Sequence, residues 1–333
     1  MKNEWMPSAP VTVNWAITNR CNFRCRHCYS RTDTNEELSF GELCSILAKL
    51  GSAKVFSVNF GGGEPLMRGE IFDLAAKASG LGLAVSMNSN GFLIDRATAR
   101  RLKEAGFQKV GVSLDSAVPE VHDEFRGVKG CHGRAAEALR YLKEAGIETS
   151  ISSVICRINV EDIEGLIGQA LSLGAGSLNF HNFKCSGLGF VNKDSLDLSP
   201  REWREFYVFA VEQREKIKDL HISLEDPIIA SLGQGNSDSL VRGSVCGKLS
   251  LNIKANGDVT PCGFIPIVIG NLCKDDLMEL WSNSPVLEAM RNKTPRGKCL
   301  NCGHYSDCLG GCTARALALT GDINNPDPHC WME

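Results

Sequence analysis

Between residue 11 and about residue 183, short β-branched apolar runs alternate with amphipathic stretches of helical period. That alternation is the signature of repeated βα units on a parallel sheet. It predicts strands over 11–18, 54–60, 83–88, 109–114, 147–155 and 177–182, with the clearest helices over 97–105, 134–145 and 160–173. Six units do not close an eight-stranded barrel. The expected fold is therefore α/β, a partial (β/α)6 TIM-like barrel with its site at the C-terminal ends of the strands. After Ser186 the pattern stops, and Ser199-Pro200 opens a helix running to Lys218 with proline in its first turn. This helix reads as a bridge. Beyond it a hairpin is expected, 249–254 against 258–261, turning at Asn256-Gly257. The chain thus divides into a barrel over 1–198, a bridging helix and linker over 199–240, and a cysteine-rich extension over 241–333.

A formal net charge of -3 supplies no basic footprint, which argues against nucleic acid as a partner. No apolar run approaches the roughly 20 residues of a membrane span, and the N-terminus lacks a signal-peptide core. A cytoplasmic protein is expected. In that reducing compartment fifteen cysteines point to metal binding rather than to disulfides.

Directly after the first predicted strand, Cys21, Cys25 and Cys28 stand in one short loop with spacings x3 and x2. Three thiolates on a [4Fe-4S] cube leave one iron without a protein ligand, a catalytic arrangement rather than a structural one. A zinc site with a fourth ligand from His27 or elsewhere is the plainer alternative. The pattern C-x3-C-x-aromatic-C, with His27 at the aromatic position, resembles the radical SAM superfamily. That resemblance implies an open iron that chelates S-adenosylmethionine (SAM), and a reduced cluster that cleaves it to a 5'-deoxyadenosyl radical. Gly61-Gly62-Gly63-Glu64-Pro65 resembles the family's GGE motif, which implies that Gly62, Gly63 and Glu64 receive the methionine amino group. The same resemblance assigns Asn90, Ser113, Asp115 and Arg126 to the ribose or methionine carboxylate, and Ile155 to adenine. As ordinary residues, Asn90 and Asp115 would be turn or cap formers, Arg126 half of a surface ion pair, and Ile155 core.

The extension carries Cys246, Cys262, Cys299, Cys302, Cys308, Cys312 and Cys330. Seven thiolates exceed one four-coordinate site and fall one short of two, so two clusters, one with an open or non-cysteine position, is the natural count. Their spacing resembles the SPASM pattern, as do Gly270-Asn271-Leu272 and Leu280-Trp281 between the halves. By that resemblance Cys246, Cys262 and Cys312 hold one auxiliary cluster, and Cys299, Cys302, Cys308 and Cys330 the other, for three [4Fe-4S] clusters in all. A zinc ribbon is the alternative. Cys44, Cys131 and Cys156 read as small core residues, and Cys273 as core or a reach to the incomplete cluster. Cys185, where the last predicted strand leaves the barrel, is a candidate hydrogen-atom donor, ligand or filler.

The resemblance implies hydrogen-atom abstraction with a low-potential flavodoxin or ferredoxin as reductant. Peptide maturation is the first substrate expectation. Only about ten residues precede the first strand, too few for a leader-recognition domain. That leaves either a separate leader-recognition protein or a small-molecule substrate: a nucleoside, sugar, amino acid or tetrapyrrole. A non-catalytic iron-sulfur or zinc scaffold is the reading from another class.

Overall fold

A computed structural model describes residues 6–30, 36–233 and 241–333. All six predicted strands form: β1 (Thr12–Thr18), β2 (Ser57–Gly62), β3 (Ala84–Ser89), β4 (Phe107–Ser113), β5 (Glu148–Ile155) and β6 (Ser177–Asn182). Each pairs in parallel with the next, as an open TIM-like barrel requires. β2 starts later than predicted because Lys54 takes a left-handed φ of 55° and turns the chain.

Helices α1 (Phe40–Ser52), α2 (Ile71–Gly80), α3 (Arg96–Glu104), α4 (Pro119–Arg126), α5 (Cys131–Glu144) and α6 (Ile163–Leu173) fill the crossovers. Ser39 and Glu42 cap α1 reciprocally, a box written in the sequence as Ser-x-x-Glu. Behind that cap Leu43, Ile46, Leu47 and Leu50 fall on one helical face and are buried.

The segment read as a bridge behaves differently. After single turns α7 (Leu188–Val191) and α8 (Lys193–Leu196), α9 (Pro200–Lys216) leads into a further strand, β7 (His221–Leu224), parallel to β6. The described part of that stretch, 199–233, therefore extends the barrel sheet instead of spanning two lobes, and 234–240 lie outside the described residues. Four residues beginning with an exposed histidine are too short to register as a strand by periodicity. The hairpin forms as β8 (Ser250–Ile253) against β9 (Asp258–Thr260), with β10 (Gly270–Asn271) beyond it. β8 also pairs in parallel with β1, Thr12 opposite Ser250 and Asn14 opposite Asn252. One ten-stranded sheet thus joins barrel and extension. Helices α10 (Leu277–Asn283), α11 (Pro285–Arg291), α12 (Tyr305–Cys308) and α13 (Thr313–Thr320) complete the chain. No described helix is long and apolar enough to cross a membrane.

The two faces of the sheet differ sharply. Toward the helices point Trp15, Phe60, Met87, Val112, Ile151 and Phe180, all buried. The concave face instead carries Asn14, Asn59, Ser86, Asn88, Ser150, Ser152 and Asn179 in neighbouring registers. A filled barrel stacks branched apolar side chains there. Here Asn14 and Asn88 remain exposed, so the interior is a hydrophilic hollow. At its centre Gly111 keeps the floor open, because a Cβ there would displace the Asn88 side-chain amide and stand 3.1 Å from the hydroxyls of Ser150 and Ser152.

Candidate functional site

The Cys21–Cys25–Cys28 loop leaves the end of β1 and is gripped from both sides. On one side the amides of Gly63 and Glu64 donate to the carbonyls of Thr18 and Arg20, both at 2.8 Å. Gly62 has a φ of 118°, and a Cβ on Gly63 would overlap the Arg20 carbonyl, so only glycines allow this approach. On the other side, the amides of Arg24 and Arg26 donate to the carbonyls of Arg126 and Phe125 at the end of α4. The thiols are thereby brought together. Cys21 is exposed as a residue, but partial desolvation of its thiol pushes it up to about 11, with Cys25, Glu64 and Cys28 adding to the effect. Cys25 is raised by burial and pulled back by Arg126, whose Nη1 lies 3.9 Å from its sulfur.

His27 stacks on Phe125 at 4.3 Å between ring centroids. Burial first, then the Arg126 charge, pulls its pKa down to about 3, so the ring is neutral. Glu64 is buried, accepting from Ser89 Oγ and the Asn90 amide, both at 2.8 Å. Desolvation outweighs these bonds and lifts its pKa to about 7. Asn90 donates through Nδ2 to Asn22 in the cysteine loop at 2.8 Å and accepts from the Phe92 amide, forming the turn expected of it. Ser113 sits on the concave face opposite Ser152.

Asp115 and Arg126 are engaged with each other. Arg126 Nε and Nη2 donate to the two carboxylate oxygens at 2.6 and 3.0 Å, and the Val154 amide donates at 2.9 Å. Both groups are buried, so Arg126 is no surface ion pair. It instead carries its charge to Cys25. Ile155 lies fully buried in the core, on the strand face of Ile151, while its neighbour Val154 takes the alternate side. Cys185 is likewise not at an open mouth. It is 3% exposed, its thiol donates to Asp197 Oδ2 at 3.5 Å, and burial with that carboxylate pushes its pKa to about 12.

In the extension Cys246 and Cys262 share a hydrogen bond that favours the thiolate at Cys246, and Cys312 acts electrostatically on Cys262. These three pack around Ile265 and Met290. Cys299, Cys302, Cys308 and Cys330 form the second gathering, Cys299 raised by burial and then by Cys330 and Cys302, and Cys330 raised by burial with Asp327 and Cys302 adding to it. Between the two sets Leu309, Gly310 and Gly311 are all left-handed, a reversal that sends Cys308 to one set and Cys312 to the other. Cys273 is exposed at the Asn256-Gly257 turn, its sulfur 3.2 Å from a Cβ placed on Gly257, and packs with neither set. Cys131 and Cys156 are buried and Cys44 half-buried.

Sequence reasoning missed what braces these thiols. Arg315, fully buried, donates to Asp226 at 2.7 and 3.0 Å and through Nε to Asp327 at 2.9 Å. Asp327 accepts in turn from the Cys312 amide at 2.7 Å. Asp226, just after β7, also accepts from Tyr207 and Asn182. The Asp-Pro-x-Cys run before Cys330 was the available signal. An orphan tests whether the thiols fit an iron-sulfur group. Lys293 Nζ is buried among Cys312, Cys308 and Cys299 without a hydrogen-bond partner among the described residues. A cationic orphan amid thiols fits an anionic thiolate cluster.

Comparison with known proteins agrees with this geometry. Residues 15–170 match the radical SAM superfamily, and residues 246–303 match SPASM, an iron-sulfur cluster-binding domain. An AdoMet-dependent heme synthase of Methanosarcina barkeri is 29% identical over 98% of this chain and 97% of its own. The mycofactocin maturase MftC of Mycolicibacterium smegmatis is 30% identical over 97% and 83%. Streptococcus suis SuiB bound to its precursor peptide SuiA superposes with a TM-score of 0.81 at 19% identity, over 98% of this chain and 77% of that one. These domains imply [4Fe-4S] clusters and SAM as cofactors. The chain therefore belongs to the radical SAM superfamily and carries a C-terminal SPASM iron-sulfur cluster-binding domain.

Proposed function

We propose that this chain modifies a peptide by radical chemistry. In this reading it holds three [4Fe-4S] clusters, on Cys21, Cys25 and Cys28, on Cys246, Cys262 and Cys312, and on Cys299, Cys302, Cys308 and Cys330. With SAM bound, the first of these supplies a 5'-deoxyadenosyl radical that abstracts a substrate hydrogen atom. The chain's own residues orient and shield. Gly62, Gly63 and Glu64 receive the methionine amino group, Asn90 and Ser113 face the ribose, and neutral His27 offers an apolar surface to adenine. Asp115 fixes Arg126 against Cys25. A low-potential flavodoxin or ferredoxin is the reductant, and a separate protein presents the leader.

The observation that carries the choice of substrate is the hydrophilic hollow. Asn88, Ser152 and Asn179 present amide and hydroxyl groups with no side-chain hydrogen bond among the described residues. Unpartnered polar groups suit the amides of a peptide, which can satisfy donors and acceptors alike along an extended backbone. The near end-to-end match to the heme synthase supports the second reading, a small molecule such as a tetrapyrrole. Incubation of reconstituted enzyme, SAM and dithionite with a short peptide encoded beside its gene decides between them. A SAM-dependent change in peptide mass is expected, and turnover of a porphyrin with an unaltered peptide would reverse the assignment.

A Glu64 pKa near 7 gives a second expectation. The methionine ammonium favours the ionised carboxylate, so SAM affinity rises from about pH 6 to about pH 8. Glu64→Gln flattens that rise and weakens binding by about 1.5–3 kcal/mol, roughly ten- to a hundredfold in Kd. Titration of SAM into the anaerobic protein at several pH values reads both.

A further inference from the structure

Lys293 follows α11 and sits under the loop that carries both auxiliary thiol sets. Its Nζ is buried and has no hydrogen-bond partner among the described residues. Gly310 locates it. A Cβ placed there would lie 3.5 Å from Lys293 Nζ and 3.9 Å from both Cys299 Sγ and the Tyr305 ring. The Tyr305 hydroxyl donates to the Lys293 carbonyl at 3.0 Å, which pins the backbone of the lysine in place.

The groups that act on the ammonium are Cys312, Asp327, Cys308 and Cys299, and burial disfavours its charge. Asp327 is already committed to Arg315 and to the amides of Cys312 and His329. Among these neighbours no free carboxylate is left to pair with Lys293. A lysine held in such a place needs an anion, or it loses its proton or its burial. The remaining neighbours are thiols from both auxiliary sets.

We propose that Lys293 is the counter-ion of the auxiliary iron-sulfur groups. Its ammonium offsets the negative charge gathered on Cys299, Cys308 and Cys312 and favours the reduced state, which carries one more electron. This rests on the reading that those cysteines hold clusters. Lys293 touches neither the Cys21–Cys28 loop nor Glu64, so its effect is confined to the auxiliary couples.

The test compares wild type with Lys293→Met and Lys293→Arg after anaerobic reconstitution, counting iron and following the auxiliary couples by potentiometric titration with electron paramagnetic resonance. Lys293→Met is expected to keep its iron while the reduced-to-oxidised ratio at a fixed poise falls about tenfold, about 59 mV for a one-electron couple. Lys293→Arg, which keeps the charge, should stay at the wild-type value. Unmoved couples in Lys293→Met overturn the proposal, as do equal shifts in both variants. Should Lys293→Met lose iron, retention in Lys293→Arg upholds a need for charge, and loss in both overturns it. A wild-type protein with only about four irons and no auxiliary couple would instead remove the cluster reading beneath it.

Discussion

Changing Cys25 to alanine is expected to lower the iron of the reconstituted protein from about twelve to about eight atoms per chain. Formation of 5'-deoxyadenosine from SAM should fall to that of a protein-free control. Cys25 is the most instructive member of the triad because the Asp115–Arg126 pair is built around it, with Arg126 Nη1 at 3.9 Å from its sulfur. An open iron exists only if three thiolates hold the other three, so loss of one ligand removes the whole site and not a fraction of its activity. Cys273→Ala is the matching control. Its thiol is exposed beside a turn of the hairpin, and the variant should retain full iron and full SAM cleavage. Residual cleavage by Cys25→Ala, or zinc in place of iron, would sink the assignment of the loop.

The parts of this site that could be read from sequence are those whose chemistry is local in the chain. Cys21, Cys25 and Cys28 share one loop, and the GGE tripeptide needs glycine for a backbone contact with that loop. Strand periodicity located β1 to β6, because each is buried on its helix-facing side by alternate apolar residues. What escaped is non-local. Nothing within Ser250–Ile253 announces that it will pair with β1, a partner more than two hundred residues away. Cys185 appeared to face the barrel mouth, yet Asp197 and the α9 side enclose it, which no spacing reveals. Ile155, assigned to adenine by resemblance with core as the plain alternative, shares parity with Ile151 and lies in the core, which alternation could have told. Lys293 carried no motif at all, since its meaning lies in its having no hydrogen-bond partner among the described residues of a folded neighbourhood.

Arg315→Met is expected to destabilise the protein by about 3–5 kcal/mol, because it strands two buried carboxylates at once. Asp226 is anchored to the barrel through Tyr207 and Asn182, whereas Asp327 holds the Cys312 amide. The guanidinium between them is the charged link from the β7 end of the barrel to the auxiliary thiols. Desolvation raises Asp327, but Arg315 outweighs it and holds the carboxyl below its ordinary range. A depressed folded pKa stabilises above the unfolded value, about 3.9, and that contribution is lost as pH falls toward the folded one. The Met variant reverses the sign. Its Asp327 carboxyl, buried without a cation, favours the protonated form, so its deficit against wild type should narrow as pH drops from about 7 to about 5. Anaerobic urea unfolding of both proteins across that range measures the gap. A constant gap would assign the loss to packing of the long side chain rather than to charge. No gap at all would mean that the β1–β8 pairing alone holds the extension to the barrel.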